Sequence, residues 1–67
     1  MNTTFAIRLQ AIKDNYATDN DEARYRNELS RLEMDIAASI KRCHNAGDDC
    51  QELEDLYEYV ISKIEEV

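Results

Sequence analysis

NAGDDCQELEDLYEYVISKIEEV, residues 45–67, decides the fold of this chain. Asn45-Ala46-Gly47 reads as the end of one helix, because glycine supplies the left-handed residue that closes a helical C-terminus, and Lys41, Arg42 and His44 just before it suit the negative end of a helix dipole. The next helix starts at once. Asp48 or Asp49 caps it, Asp49 and Glu52 stand in capping-box register, and Leu53, Tyr57, Val60, Ile64 and Val67 recur at alternating spacings of four and three. Two helices joined by so short a turn lie antiparallel, side by side.

Working upstream, Tyr25, Leu29, Leu32, Ile36, Ile40 and Cys43 form a heptad-like seam in a long segment of about residues 21–45. Its other side carries Ala23, Ser30, Met34, Ala37 and Ala38, a small-residue face suited to a further helix. Phe5, Leu9, Ile12 and Tyr16 line a shorter helix of about residues 4–16. Between these two segments, Ala17-Thr18-Asp19-Asn20-Asp21 predicts a break, with Asp19 and Glu22 in capping-box outline. The expectation is one all-α domain over residues 1–67: an antiparallel helical hairpin, with helices of about 21–45 and 49–66, preceded by the shorter N-terminal helix. With no proline and Gly47 as its one glycine, the chain has too little turn vocabulary for a β fold.

Charge is distributed unevenly. Residues 48–67 hold eight acids against Lys63, while the preceding residues hold seven acids and seven bases, so the whole net charge of −7 belongs to the final segment. Net negative charge argues against binding nucleic-acid phosphates or an anionic membrane, both of which need lysine and arginine. Met1-Asn2-Thr3-Thr4-Phe5 has neither a basic lead nor an unbroken apolar run, so no leader or membrane span is expected. A cytoplasmic setting follows as the expectation, with Cys43 and Cys50 as reduced thiols.

Wrapped at about 100° per residue, Leu53, Leu56, Tyr57, Val60, Ile61 and Ile64 cover an arc roughly 140° wide, more than one neighbouring helix hides. The first segment covers part of it if it packs as a third helix, and a partner or second copy takes the rest. Glu54, Asp55, Glu58, Glu65 and Glu66 form the opposite, acidic face, with Tyr59 among them as an exposed aromatic. These acids read as a solvated face paired with the row Arg24, Arg31 and Arg42, as a field that steers a basic partner, or as a mimic of nucleic-acid phosphates. Partner contact is accordingly assigned to Leu53, Leu56, Tyr57, Tyr59, Val60, Ile61 and Ile64.

Chemistry is poorly represented. Cys43-His44 and Asp48-Asp49-Cys50 offer a single Cys-x6-Cys with one adjacent histidine, short of the paired spacing of a zinc site. The cysteines read instead as small apolar residues where the hairpin closes, or as a disulfide in an oxidising compartment. One histidine, no glycine-rich loop and little room for a dry pocket point away from an enzyme, and no cofactor or metal is expected.

The segment from Tyr25 to Val67 carries a family likeness: Leu29, Leu32 and Ile36 before the turn, Ala46-Gly47-Asp48 at it, and Cys50-Gln51 opening the last helix. In this arrangement the chain resembles the small co-chaperones of type III secretion needle proteins, the YscE and PscE group. The resemblance implies a cytoplasmic, non-enzymatic protein that binds a helical-repeat chaperone, the pair shielding a polymerisation-prone needle subunit, with Leu56, Val60, Ile61 and Ile64 buried by the partner. Two alternatives stand beside it: a small acidic inhibitor, such as a phage-type one, that blocks the basic groove of a nucleic-acid enzyme, and a structural homodimer forming a four-helix bundle.

Overall fold

Asn20-Asp21 and Gly47 punctuate the chain. The computed structural model describes residues 3–66, and among these it forms three α-helices, α1 (Thr3–Asp19), α2 (Glu22–Ala46) and α3 (Gln51–Glu66). The expectation for Val67 lies outside the described residues. α1 runs three residues beyond its expected end, since Ala17-Thr18-Asp19 contains nothing that breaks a helix. Asn20 then stops it by taking a positive φ of 54°, a conformation that a short polar side chain tolerates.

The cap of α2 is Asp21, not the Asp19 expected from the capping-box outline: Asp21 Oδ1 accepts the Arg24 backbone N–H at 3.1 Å. Asp19 instead accepts the Asp21 N–H at 3.0 Å and holds the turn itself. At the far end, Gly47 takes φ 76°. Its N–H reaches the His44 carbonyl, and the Asp48 N–H reaches the Cys43 carbonyl, each at 3.1 Å. This paired closure satisfies two orphan carbonyls of α2 and reverses the chain. Because Gly47 and Asp48 are committed to ending α2, α3 starts at Gln51 and not at 49. Asp49 Oδ1 accepts the Gln51 N–H at 3.0 Å.

Reversal returns Cys50 beside Cys43, with Cα atoms 6.1 Å apart, and the two are joined as a disulfide. That separation lies within the span of about 4.4–6.8 Å that a cystine bridges. The expectation of two free thiols is therefore corrected.

α2 is the axis of the molecule. Its 25 residues at about 1.5 Å each account for the 40 Å long dimension of a body 20 × 14 Å in the other two. Leu29, Leu32 and Ile36 are fully buried along it, with Leu9 and Ile12 of α1 and Val60 of α3 in the same cluster. Both neighbours run antiparallel to α2. Tyr16 stacks on Tyr25 beside the first turn, ring centroids 4.2 Å apart, and Arg8 pairs with Asp35 further along at 2.6 Å. On the other flank the disulfide sits at the turn, and the Tyr57 hydroxyl donates to Glu33 Oε1 at 2.8 Å.

Candidate protein-binding face

The broad apolar arc of α3 is divided between two helices of its own chain. Val60 is fully buried and Leu53 is 7% exposed, while Leu56, Tyr57 and Ile64 are partly buried and pack on the central cluster. Leu53 and Val60 are thus core residues, which corrects their assignment as partner anchors. The physical reason is packing on α2, the main neighbour of α3: Val60 enters the cluster formed with Leu29, Leu32 and Ile36, which Leu9 and Ile12 of α1 also join, while Lys13 of α1 reaches Tyr59 at the margin. Ile61 is half-buried and stands outside the central cluster.

Tyr59 is 39% exposed, but it is not a loose aromatic. Lys13 Nζ donates to its hydroxyl at 3.0 Å. The ammonium groups of Lys13 and Lys63 also lie 5.4 and 5.3 Å from the ring centroid, close enough for cation–π attraction. The hydrogen bond from Lys13, helped by the charges of Lys13 and Lys63, holds the Tyr59 phenol below its ordinary pKa. Tyr57 moves the other way, because its hydroxyl donates to the Glu33 carboxylate and its partial burial further disfavours a phenolate. Lys63 is held above its usual value, first by its contact with Glu66.

The lysines divide the acidic face. On the Tyr59 side, Lys63 pairs with Glu66 at 3.3 Å and Lys13 stands nearby. On the opposite side, Glu54, Glu58, Ile61 and Glu65 follow one another at spacings of four, three and four, a single stripe along the helix. Glu58 and Glu65 are exposed and Glu54 is half-buried. Glu54 Oε1 lies 3.8 Å from His44 Nε2, a weak partner for a carboxylate. Asp55, next to the stripe, accepts from Gln51 Nε2 at 2.8 Å.

Of the arginine row expected to pair with these acids, Arg24 is committed elsewhere and Arg42 lines a groove with Asp48, Asp49 and Glu52 at the turn. Arg24 bonds Asp19 and Glu28 at 3.1 and 2.8 Å, and Arg42 donates to Ser39 Oγ. Arg24 contacts acids on the α1 flank of α2, away from α3. The small-residue face is mostly open: Ala23, Met34 and Ala38 are exposed, with Ser30 and Ala37 half-buried. Ile7, on the outer side of α1, is 68% exposed and Met34 is 64% exposed. Lys13 and Glu33 shape the α3 surface yet carry no signal in the sequence, being 46 and 24 residues from the tyrosines they bind.

Among the described residues, no group of three His, Cys, Asp or Glu side chains is placed to hold a metal ion, and no helix is long and apolar enough to cross a membrane. The fold and surface define a three-helix all-α chain with a core on its middle helix and an acidic outer edge on its last. Compared with protein-family models, curated proteins and solved structures, the chain shows no match.

Proposed function

We propose that this chain is a non-enzymatic protein-binding module that meets a basic partner surface through the stripe Glu54, Glu58, Ile61 and Glu65. The observation that carries the reading is the partition of α3, whose strongest apolar side chains, Leu53 and Val60, are spent on its own core while Glu58 and Glu65 remain exposed. A contact made there is electrostatic with one apolar centre. Complementary charge raises the association rate and selects against acidic competitors more than it deepens affinity. Self-association through this stripe is disfavoured, because two copies would bring like charges together.

A co-chaperone is the narrower form of this proposal. Its helical chaperone would then present lysine or arginine to the glutamates and a small apolar pocket to Ile61. The acidic-inhibitor form uses the same stripe against a groove that normally holds nucleic acid.

The test is capture from native lysate by the full chain, set against E54Q/E58Q/E65Q. Circular dichroism first establishes that the variant keeps its helices. A partner that is retained by the parent, released by added salt and lost from the variant supports the proposal. Equal retention by both chains refutes it. Competition by duplex DNA separates the inhibitor form from the co-chaperone form.

A further inference from the structure

The disulfide joins two unlike positions. Cys43 lies in the last turn of α2, where its carbonyl accepts the Asp48 N–H; it is half-buried and lines an open groove with Arg42, Asp48, Asp49 and Glu52. Cys50 is 6% exposed, and its Sγ lies 3.3 Å from the Asp48 carbonyl oxygen. Access favours one sulfur and shelters the other.

We propose that the Cys43–Cys50 cystine is a redox-sensitive latch on the α2–α3 turn, opened from the Cys43 side by a dithiol reductant that carries no net negative charge. In the first step a reductant thiolate forms a bond to Cys43 Sγ. The electron pair of the broken S–S bond goes to Cys50 Sγ, which takes up a proton and finds the Asp48 carbonyl in place as acceptor. In the second step the other thiolate of the reductant attacks its own sulfur in the mixed disulfide. Cys43 leaves as a thiolate and is protonated, and the reductant departs as a disulfide. Two electrons and two protons pass from dithiol to cystine, so the balance closes.

Two features make this a latch and not merely a staple. The turn has its own closure, the backbone bonds of Gly47 and Asp48, so the reduced chain keeps the geometry from which the disulfide reforms. The groove also discriminates by charge. Three carboxylates against Arg42 leave a local excess of about two negative charges, which at about 7 Å in water changes the local concentration of a thiolate roughly sevenfold for each unit of its charge at low salt. Added salt screens the effect.

The experiment uses the full, oxidised chain and three monothiols: cysteamine, mercaptoethanol and mercaptoethanesulfonate. Rates are expressed per thiolate, and the site of the mixed disulfide is read by peptide mass. The expected result is an adduct on Cys43, with rates falling in that order by roughly sevenfold per step at low salt and converging in high salt. In D48N/D49N, which leaves Glu52 against Arg42 in the groove and keeps an acceptor oxygen at position 49, the order flattens. Adducts mainly on Cys50, or rates blind to thiol charge, overturn the proposal. A second measurement compares oxidised and dithiol-reduced chain by denaturant unfolding. For a sequence separation of 7 the unfolding equilibrium should shift on the order of fiftyfold, while helix content in water is retained and air or a disulfide oxidant restores the original curve. Loss of helix on reduction, or coincident curves, overturns it equally.

Discussion

Val60→Ala is the sharpest probe of how this molecule holds together. Val60 is fully buried beside Leu29, Leu32 and Ile36, and the substitution removes two methyl groups from that cluster. At about 0.8 kcal/mol per buried carbon, with a further term for the cavity left between three helices that cannot all close on it, the loss is about 2–3 kcal/mol. A chain of this length has a total stability of only about 3–10 kcal/mol, so a large share disappears. The assay is urea unfolding of the isolated, oxidised chain followed by circular dichroism. With a slope near 1 kcal/mol per molar urea, the midpoint falls by about 2 M. Ile7→Ala serves as control: Ile7 is 68% exposed and alanine is the better helix former, so its stability stays within about 0.5 kcal/mol of the parent. If Val60→Ala unfolds where the parent does, Val60 is not inside, and the packing of α3 into the cluster on α2 fails with it. The same burial explains why aspartate at position 60 makes a poor probe of partner binding, because it would unfold the chain before it tested the contact.

Other outcomes follow from single contacts. Asp21→Ala removes the side-chain acceptor of the Arg24 N–H and should cost about 1 kcal/mol in thermal or urea unfolding. Gly47→Ala meets no atom within 4 Å, so its penalty is conformational alone, about 1 kcal/mol from a left-handed alanine, and Gly47→Asn should cost less. In a spectrophotometric phenol titration, the parent minus Y59F difference should fall on the acid side of 10.0 and the parent minus Y57F difference on the alkaline side. Lys13→Met should move the Tyr59 component upward. Linkage gives the two tyrosines opposite signs. Tyr57, raised in the folded state, contributes stability that is present below its unfolded pKa and lost as pH climbs through the folded one. Tyr59, lowered in the folded state, adds stability as pH rises from its folded pKa towards the unfolded one.

How far the sequence reached depends on the range of the interaction. The turn at Gly47, the helix types and the seam Tyr25-Leu29-Leu32-Ile36 were legible, since caps and periodicity operate within one or two turns of helix. The choice of Asp21 over Asp19 was not. It depends on Asn20 taking a left-handed backbone, which excludes a helix starting straight after Asp19 and which no local pattern announces. The pairing of the cysteines was legible only as an alternative, because a Cα separation of 6.1 Å is a property of the closed turn.

For the candidate face, the sequence alone determined that residues 48–67 carry the net charge and that the last helix opposes an acidic side to a wide apolar one, because helical geometry assigns residues to faces without reference to the rest of the chain. Which apolar residues remained available was decided only by tertiary structure. A helical wheel gives the width of a face but not what packs against it, and here α2 takes Val60 into the central cluster while Lys13 of α1 reaches Tyr59 across 46 residues. That packing leaves Val60 inside and ties Tyr59 to two lysines, while Glu58 and Glu65 stay exposed and Ile61 half-buried beside them.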